Sequence, residues 1–68
     1  MTVLDELGQL IRTAPGLQAP PTQVAHWYEL KAHMLEQLAQ EDEASRPTAL
    51  RQAAAAHQHA TALLALAS

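Results

Sequence analysis

Large apolar residues recur at helical spacing in three stretches of this 68-residue chain, separated by two breaks. Over 2–13, Val3, Leu4, Leu7, Leu10 and Ile11 follow the i, i+3, i+4 spacing of a single apolar stripe. Thr2 stands where an N-cap belongs and Asp5 in the reciprocal position of a capping box. Gly8 costs this segment about 1 kcal/mol against alanine. Three turns with a glycine would hardly stand in isolation, so this helix needs a surface to lie on. The first break, APGLQAPP over 14–21, is a linker: Pro15 disfavours helical geometry at Ala14, and Gly16 invites a turn. Leu17 is the one apolar residue there that could pin the linker to a core. Pro20 and Pro21 stiffen the approach to Thr22, the expected N-cap of the next helix.

The longest periodic stretch, 22–42, carries most of the large side chains. At about 100° per residue, Val24, Trp27, Tyr28, Leu30, Met34, Leu35 and Leu38 fall in one arc. That arc is roughly 160° wide, against the ~100° a surface helix needs, which predicts contact with more than one neighbour. A turn over 43–45 follows, rich in acid from Glu41, Asp42 and Glu43. Those charges oppose the dipole of the helix they end and favour the helix they precede. Ser45 is placed to cap a third helix over 46–67, with Pro47 tolerated in its first turn. On that helix Leu50, Ala53, Ala54, His57, Ala60, Thr61 and Leu64 share a face. Large side chains of the second helix are thus expected to pack against the small ones of the third. The predicted fold is all-α: a short N-terminal helix, then a long antiparallel hairpin, with two hairpins forming a four-helix core as a homodimer.

Composition bears on what could stabilise such a chain. Residues 1–68 are expected to form one small helical domain, which buries only about 60% of its unfolded surface. With no cysteine, neither disulfides nor thiolate zinc ligation is open to it. Oligomerisation is then the natural support. The net charge of −3, with Arg12, Lys31, Arg46 and Arg51 spread singly, gives no nucleic-acid footprint. No apolar run approaches the ~20 residues that span a bilayer. The N-terminal sequence lacks the basic start of a secretion signal, so a cytoplasmic location is expected.

Two residues interrupt the apolar faces. Lys31 lies inside the arc of the second helix, where its stem can cover apolar surface while the ammonium reaches water. An ion pair within an oligomer is the alternative. His57 is central on the third helix. A hairpin turning at 44–45 puts it in one layer with Lys31 and Tyr28, where the imidazole could bond the tyrosine hydroxyl and acid would loosen the layer. His26, His33 and His59 have no metal-ligand spacing, and H-E-x-x-H is absent. No metal or other cofactor is expected, nor a catalytic site: there is no nucleophile triad and no glycine-rich phosphate loop.

The function expected is a small non-catalytic interaction or oligomerisation module, with the chain itself as first partner. Its core and contact candidates are Val24, Trp27, Tyr28, Leu30, Lys31, Met34, Leu35, Leu38, Leu50, His57 and Leu64. Two alternatives stand beside it. One is an adaptor or antitoxin-like protein that docks its apolar face on another protein. The other is a DNA-binding regulator reading through Arg51, Gln52, Gln58 and His59 of the third helix, which the acidic turn opposes.

Overall fold

A computed structural model describes residues 2–16 and 18–67. Leu17, the expected pin of the linker, lies outside the described residues. The fold is all-α, with α1 over Val3–Arg12, α2 over Pro21–Glu41 and α3 over Arg46–Ala67. α2 packs against both other helices, whereas no Cα of α1 comes within 8 Å of one in α3 among the described residues. α2 is therefore the spine, with α1 and α3 resting on different sides of it.

The ends of the helices follow from local hydrogen bonding. Thr2 and Asp5 form the capping box: the Asp5 N–H donates to Thr2 Oγ1 at 3.2 Å, and the Thr2 N–H to Asp5 Oδ2 at 3.3 Å. At the other end of α1, the Thr13 hydroxyl donates to the Gln9 and Leu10 carbonyls, both at 3.1 Å. The cap of α2 differs from expectation. Pro20 is the N-cap and Pro21 the first helical residue, with no side-chain cap, so Thr22 lies inside the helix. The Gln23 and Val24 N–H groups both donate to the Pro20 carbonyl, at 3.0 and 3.1 Å. A proline at the first position removes one orphan donor, and the Gln23 N–H, which a capping side chain would otherwise accept, turns to the Pro20 carbonyl instead.

The acidic turn is organised by Asp42. Its carboxylate accepts from the Ala44 N–H at 3.1 Å and from the Ser45 hydroxyl at 2.8 Å. Ser45 precedes α3, and its carbonyl accepts the Ala49 N–H at 2.8 Å. Arg46 reaches back, its Nε donating to the Ala39 carbonyl at 2.8 Å. A cation thus sits at the C-terminal end of α2, where the dipole favours it. It offsets the misplaced acids of the turn.

The α2–α3 seam is made of alanine. The buried residues are Ala25, Ala32, Leu35 and Ala39 on α2 and Ala49, Ala53, Ala56 and Ala60 on α3. Both sets run at spacings of three, four or seven, the pattern of an antiparallel coiled-coil seam. Ala32, Leu35, Ala53 and Ala56 form its centre, with Leu7 and Tyr28 packed against it. Three sequence expectations are corrected here. The seam sets small against small, because alanines on both helices let the backbones approach and exclude bulkier neighbours. Leu30, Leu50 and Leu64 are 39%, 48% and 48% exposed rather than core. The expected α3 face is turned aside: Ala54 and Thr61 are exposed and Ala49 and Ala56 take the contact.

With an alanine seam the molecule stays open. Its Cα radius of gyration is 12.4 Å, above the roughly 11 Å expected for a compact chain of this length. Substitutions along α3 test the seam. Ala53→Leu should cost about 1–3 kcal/mol in a urea melt by overpacking. Ala54→Leu, one residue on but exposed, should change stability by less than about 0.5 kcal/mol. Equal effects at the two positions would place the contact elsewhere.

Candidate interaction surface

Once the alanines hold α2 against α3, the larger side chains are divided between two flanks of the hairpin. The His57 flank is polar. His57 Nδ1 lies 3.1 Å from Glu29 Oε2, and Nε2 lies 3.4 Å from Glu36 Oε2. Glu29 and Glu36 are seven residues apart on one side of α2, so the imidazole sits between two carboxylates. All three side chains are nearly half exposed. Hydrogen bonding to Glu29 raises the His57 pKa above 6.5, with the Glu29 charge and Glu36 adding to the effect and partial desolvation opposing it. Leu50 and Leu64 lie seven residues either side of His57 and continue its line as exposed side chains.

This placement corrects the expected His57–Tyr28–Lys31 layer. The level along the hairpin is close to that expected, but His57 faces the opposite flank from Lys31. Tyr28 meets a different histidine: its ring stacks on His59 at 5.0 Å between centroids and 18° between planes. The sign of the expected acid effect also reverses, since two carboxylates and no lysine surround His57.

The opposite flank is built on a run of ring contacts that links all three helices. Trp27 Nε1 donates to the Leu10 carbonyl of α1 at 2.8 Å, tying α1 to α2 through an acceptor that Thr13 also shares. Trp27 meets Tyr28 edge to face at 5.1 Å. The Lys31 ammonium lies 5.5 Å from the Trp27 ring centroid, within cation–π range. Lys31 is half-buried and makes no ion pair among the described residues. Tyr28, Lys31, Gln52, Ala55, Ala56 and His59 line an open cleft of about 380 Å³. A neighbouring cleft of about 280 Å³ runs past Leu35, Leu38, Thr48 and Gln52.

The remaining candidates fall around this arrangement. Val24, Met34 and Leu38 are half-buried and Leu35 is buried. Met34 lies on the α1 side, lining a cleft with Glu6, Leu10 and His33. Leu7 reaches the alanine core. At about 100° per residue, Leu4 and Ile11 continue beyond Leu7, away from Leu10 and toward the Lys31 side. Both stay exposed, at 61% and 52%. Leu66 lies seven residues beyond His59, also toward this side, and is 79% exposed. The sequence pattern placed Leu4 and Ile11 only in the α1 stripe, offered His59 as a metal or DNA candidate rather than as the partner of Tyr28, and did not single out Glu29 or Glu36. The i, i+7 pair of glutamates was the available signal.

Among the described residues no group of three or more His, Cys, Asp or Glu side chains could hold a metal ion, and no helix is long and apolar enough to cross a membrane. Comparisons with protein-family models, curated proteins and solved structures find no match to this chain.

The His57 clamp fixes a pH dependence. A raised folded-state pKa makes the stabilising contribution complete below the unfolded value of about 6.5, and it is lost as pH rises through the folded value. The thermal midpoint should therefore be higher at pH 6 than at pH 8. His57→Gln should shrink that difference. A midpoint that rises between pH 6 and 8 in the wild type but not in His57→Gln would contradict the clamp.

Proposed function

We propose that this chain is a small non-catalytic helical module that works by protein–protein interaction, docking the Lys31 face on another protein. The observation that carries this reading is the inversion of its apolar residues. Seven of the eight buried core residues are alanine, while Leu4, Ile11, Leu30, Leu50, Leu64 and Leu66 are exposed. Alanines contribute little burial each, so the isolated fold is held by a thin core, and its larger apolar groups are left for a partner. The accessible surface is 4801 Å² for a 7.4 kDa chain, where roughly 4,200 Å² is expected of a compact monomer. The excess approaches the ~800 Å² that one partner contributes to a standard interface.

A homodimer with a four-helix core is the form the periodicity first suggested, centred on Trp27. In this fold the Trp27 indole N–H is taken by the Leu10 carbonyl of α1, so self-pairing through Trp27 would have to accommodate α1 beside it. Docking on a different protein sets no such condition.

Affinity capture with the full chain from its own cells tests the proposal. The wild type and Leu50→Ser/Leu64→Ser, altered on the His57 flank, should retain the same partner in stoichiometric amount. Leu4→Ser/Leu66→Ser should lose it while keeping the wild-type circular dichroism spectrum. Retention by both double variants, or a wild type that binds nothing, would reject the proposal. Sedimentation velocity over a dilution series would reveal a homodimer directly.

A further inference from the structure

We propose that the Lys31 face receives an amphipathic helix of another protein that carries a carboxylate within its apolar stripe, seated against the Lys31 ammonium. This deepens the docking function above and rests on it. The first observation is a segregation of charge. The chain has seven acidic residues, yet none lines the clefts on this side, which are bordered by Tyr28, Lys31, Gln52 and His59 and by Leu38 and Thr48. The clefts elsewhere include Glu6 in one case and Glu36 in another. The Asp42 carboxylate comes only to the far end of the second cleft, through its bond to Ser45; no carboxylate lines the cleft that holds the Lys31 ammonium, which makes no ion pair among the described residues.

That segregation also decides between a second copy and a different protein. Twofold pairing sets the same patch on both sides of the interface. A patch with Lys31 and no carboxylate, paired with itself, would bury ammonium groups without counter-charges, which is strongly unfavourable. The missing carboxylate must come from a surface unlike this one. The ammonium is ready to receive it, being held near the Trp27 ring while that indole is fixed by the Leu10 carbonyl. Such preorganisation lowers the cost of ordering a long side chain on binding. Gln52 and His59 border the same cleft and add side-chain hydrogen-bonding groups.

The shape favours a helix as the occupant. The two clefts of this flank lie end to end between α2 and α3 and share Gln52, so they form a groove that runs from Tyr28 and His59 past Lys31 to Leu38 and Thr48. The described elements are all helices, so no sheet edge is offered for strand addition, and a groove between two packed helices suits an amphipathic helix laid along it. A helix of about 20 residues, ~30 Å long, matches most of the 37 Å long axis of the molecule.

The test uses three fluorescein-labelled leucine/alanine amphipathic peptides of about 20 residues, identical except for Glu, Gln or Lys at the centre of the apolar stripe. Each is titrated by anisotropy with the full-length wild type, Lys31→Gln and Lys31→Glu, all checked for unchanged helicity. The wild type should bind the Glu peptide about tenfold or more tightly than the other two, with the advantage shrinking at high salt. Lys31→Gln should bind all three alike, and Lys31→Glu should prefer the Lys peptide. That exchange of preference would not follow if Lys31 served only to support Trp27. Equal wild-type binding of all three peptides would overturn the carboxylate while leaving an apolar docking face. Binding of none would overturn the inference, and the capture experiment would show separately whether the face docks at all. Wild-type self-association abolished by Lys31→Glu would reassign the ammonium to a second copy and overturn it as well.

Discussion

Alanine along the line where α2 meets α3 is the constraint from which the rest of the structure follows. A side chain with no rotamers and little volume lets two helices close on each other, and at that separation little else fits between them. Leu35 is the one large residue buried in the seam. Every other large apolar group is pushed to a flank, onto α1, or into solvent. The seam thus creates the surface proposed to bind. A leucine-filled core would give more stability per residue and leave less to offer a partner.

The seam also sorts the polar residues. His57 falls on one flank, within reach of Glu29 and Glu36, and Lys31 falls on the other, over Trp27. The first is a closed electrostatic arrangement, with a cation placed between two anions of the same chain. The second is open, because Lys31 has only an aromatic face beside it. That contrast explains why the two flanks are assigned different roles although both carry exposed leucines. On the His57 flank the charges are satisfied internally. On the Lys31 flank an ammonium is positioned without a counter-charge.

Much of the architecture was legible in the sequence. The capping box at Thr2 and Asp5, the proline-rich break, the acidic turn and two long helices meeting antiparallel all follow from residues with strong local preferences. The width of the apolar arc on α2 anticipated two neighbouring helices. The rotation of the helices about their axes was not legible from large residues alone. Building the α2 arc from large side chains alone passed over Ala25, Ala32 and Ala39, which repeat every seven residues and carry the tighter contact. The same emphasis turned α3 toward Leu50, His57 and Leu64, so that of the four seam alanines only Ala53 and Ala60 lay on the expected face and Ala49 and Ala56 did not. Two further features needed three dimensions: Trp27 holding the end of α1, and Arg46 returning to the end of α2. Both are side chain to backbone bonds between different helices, and neither leaves a periodic trace.

The rotation is also where the structure is most directly open to test. A methyl-resolved nuclear Overhauser experiment on the full chain distinguishes the two packings without any substitution. The alanine seam predicts cross-peaks linking the methyl groups of Ala32 and Leu35 to those of Ala53 and Ala56, and the His57 ring to the side chains of Glu29 and Glu36. Cross-peaks from Leu50 and Leu64 to Trp27 and Met34, with those between the alanines missing, would show that α3 presents its leucines to α2 and would contradict the seam.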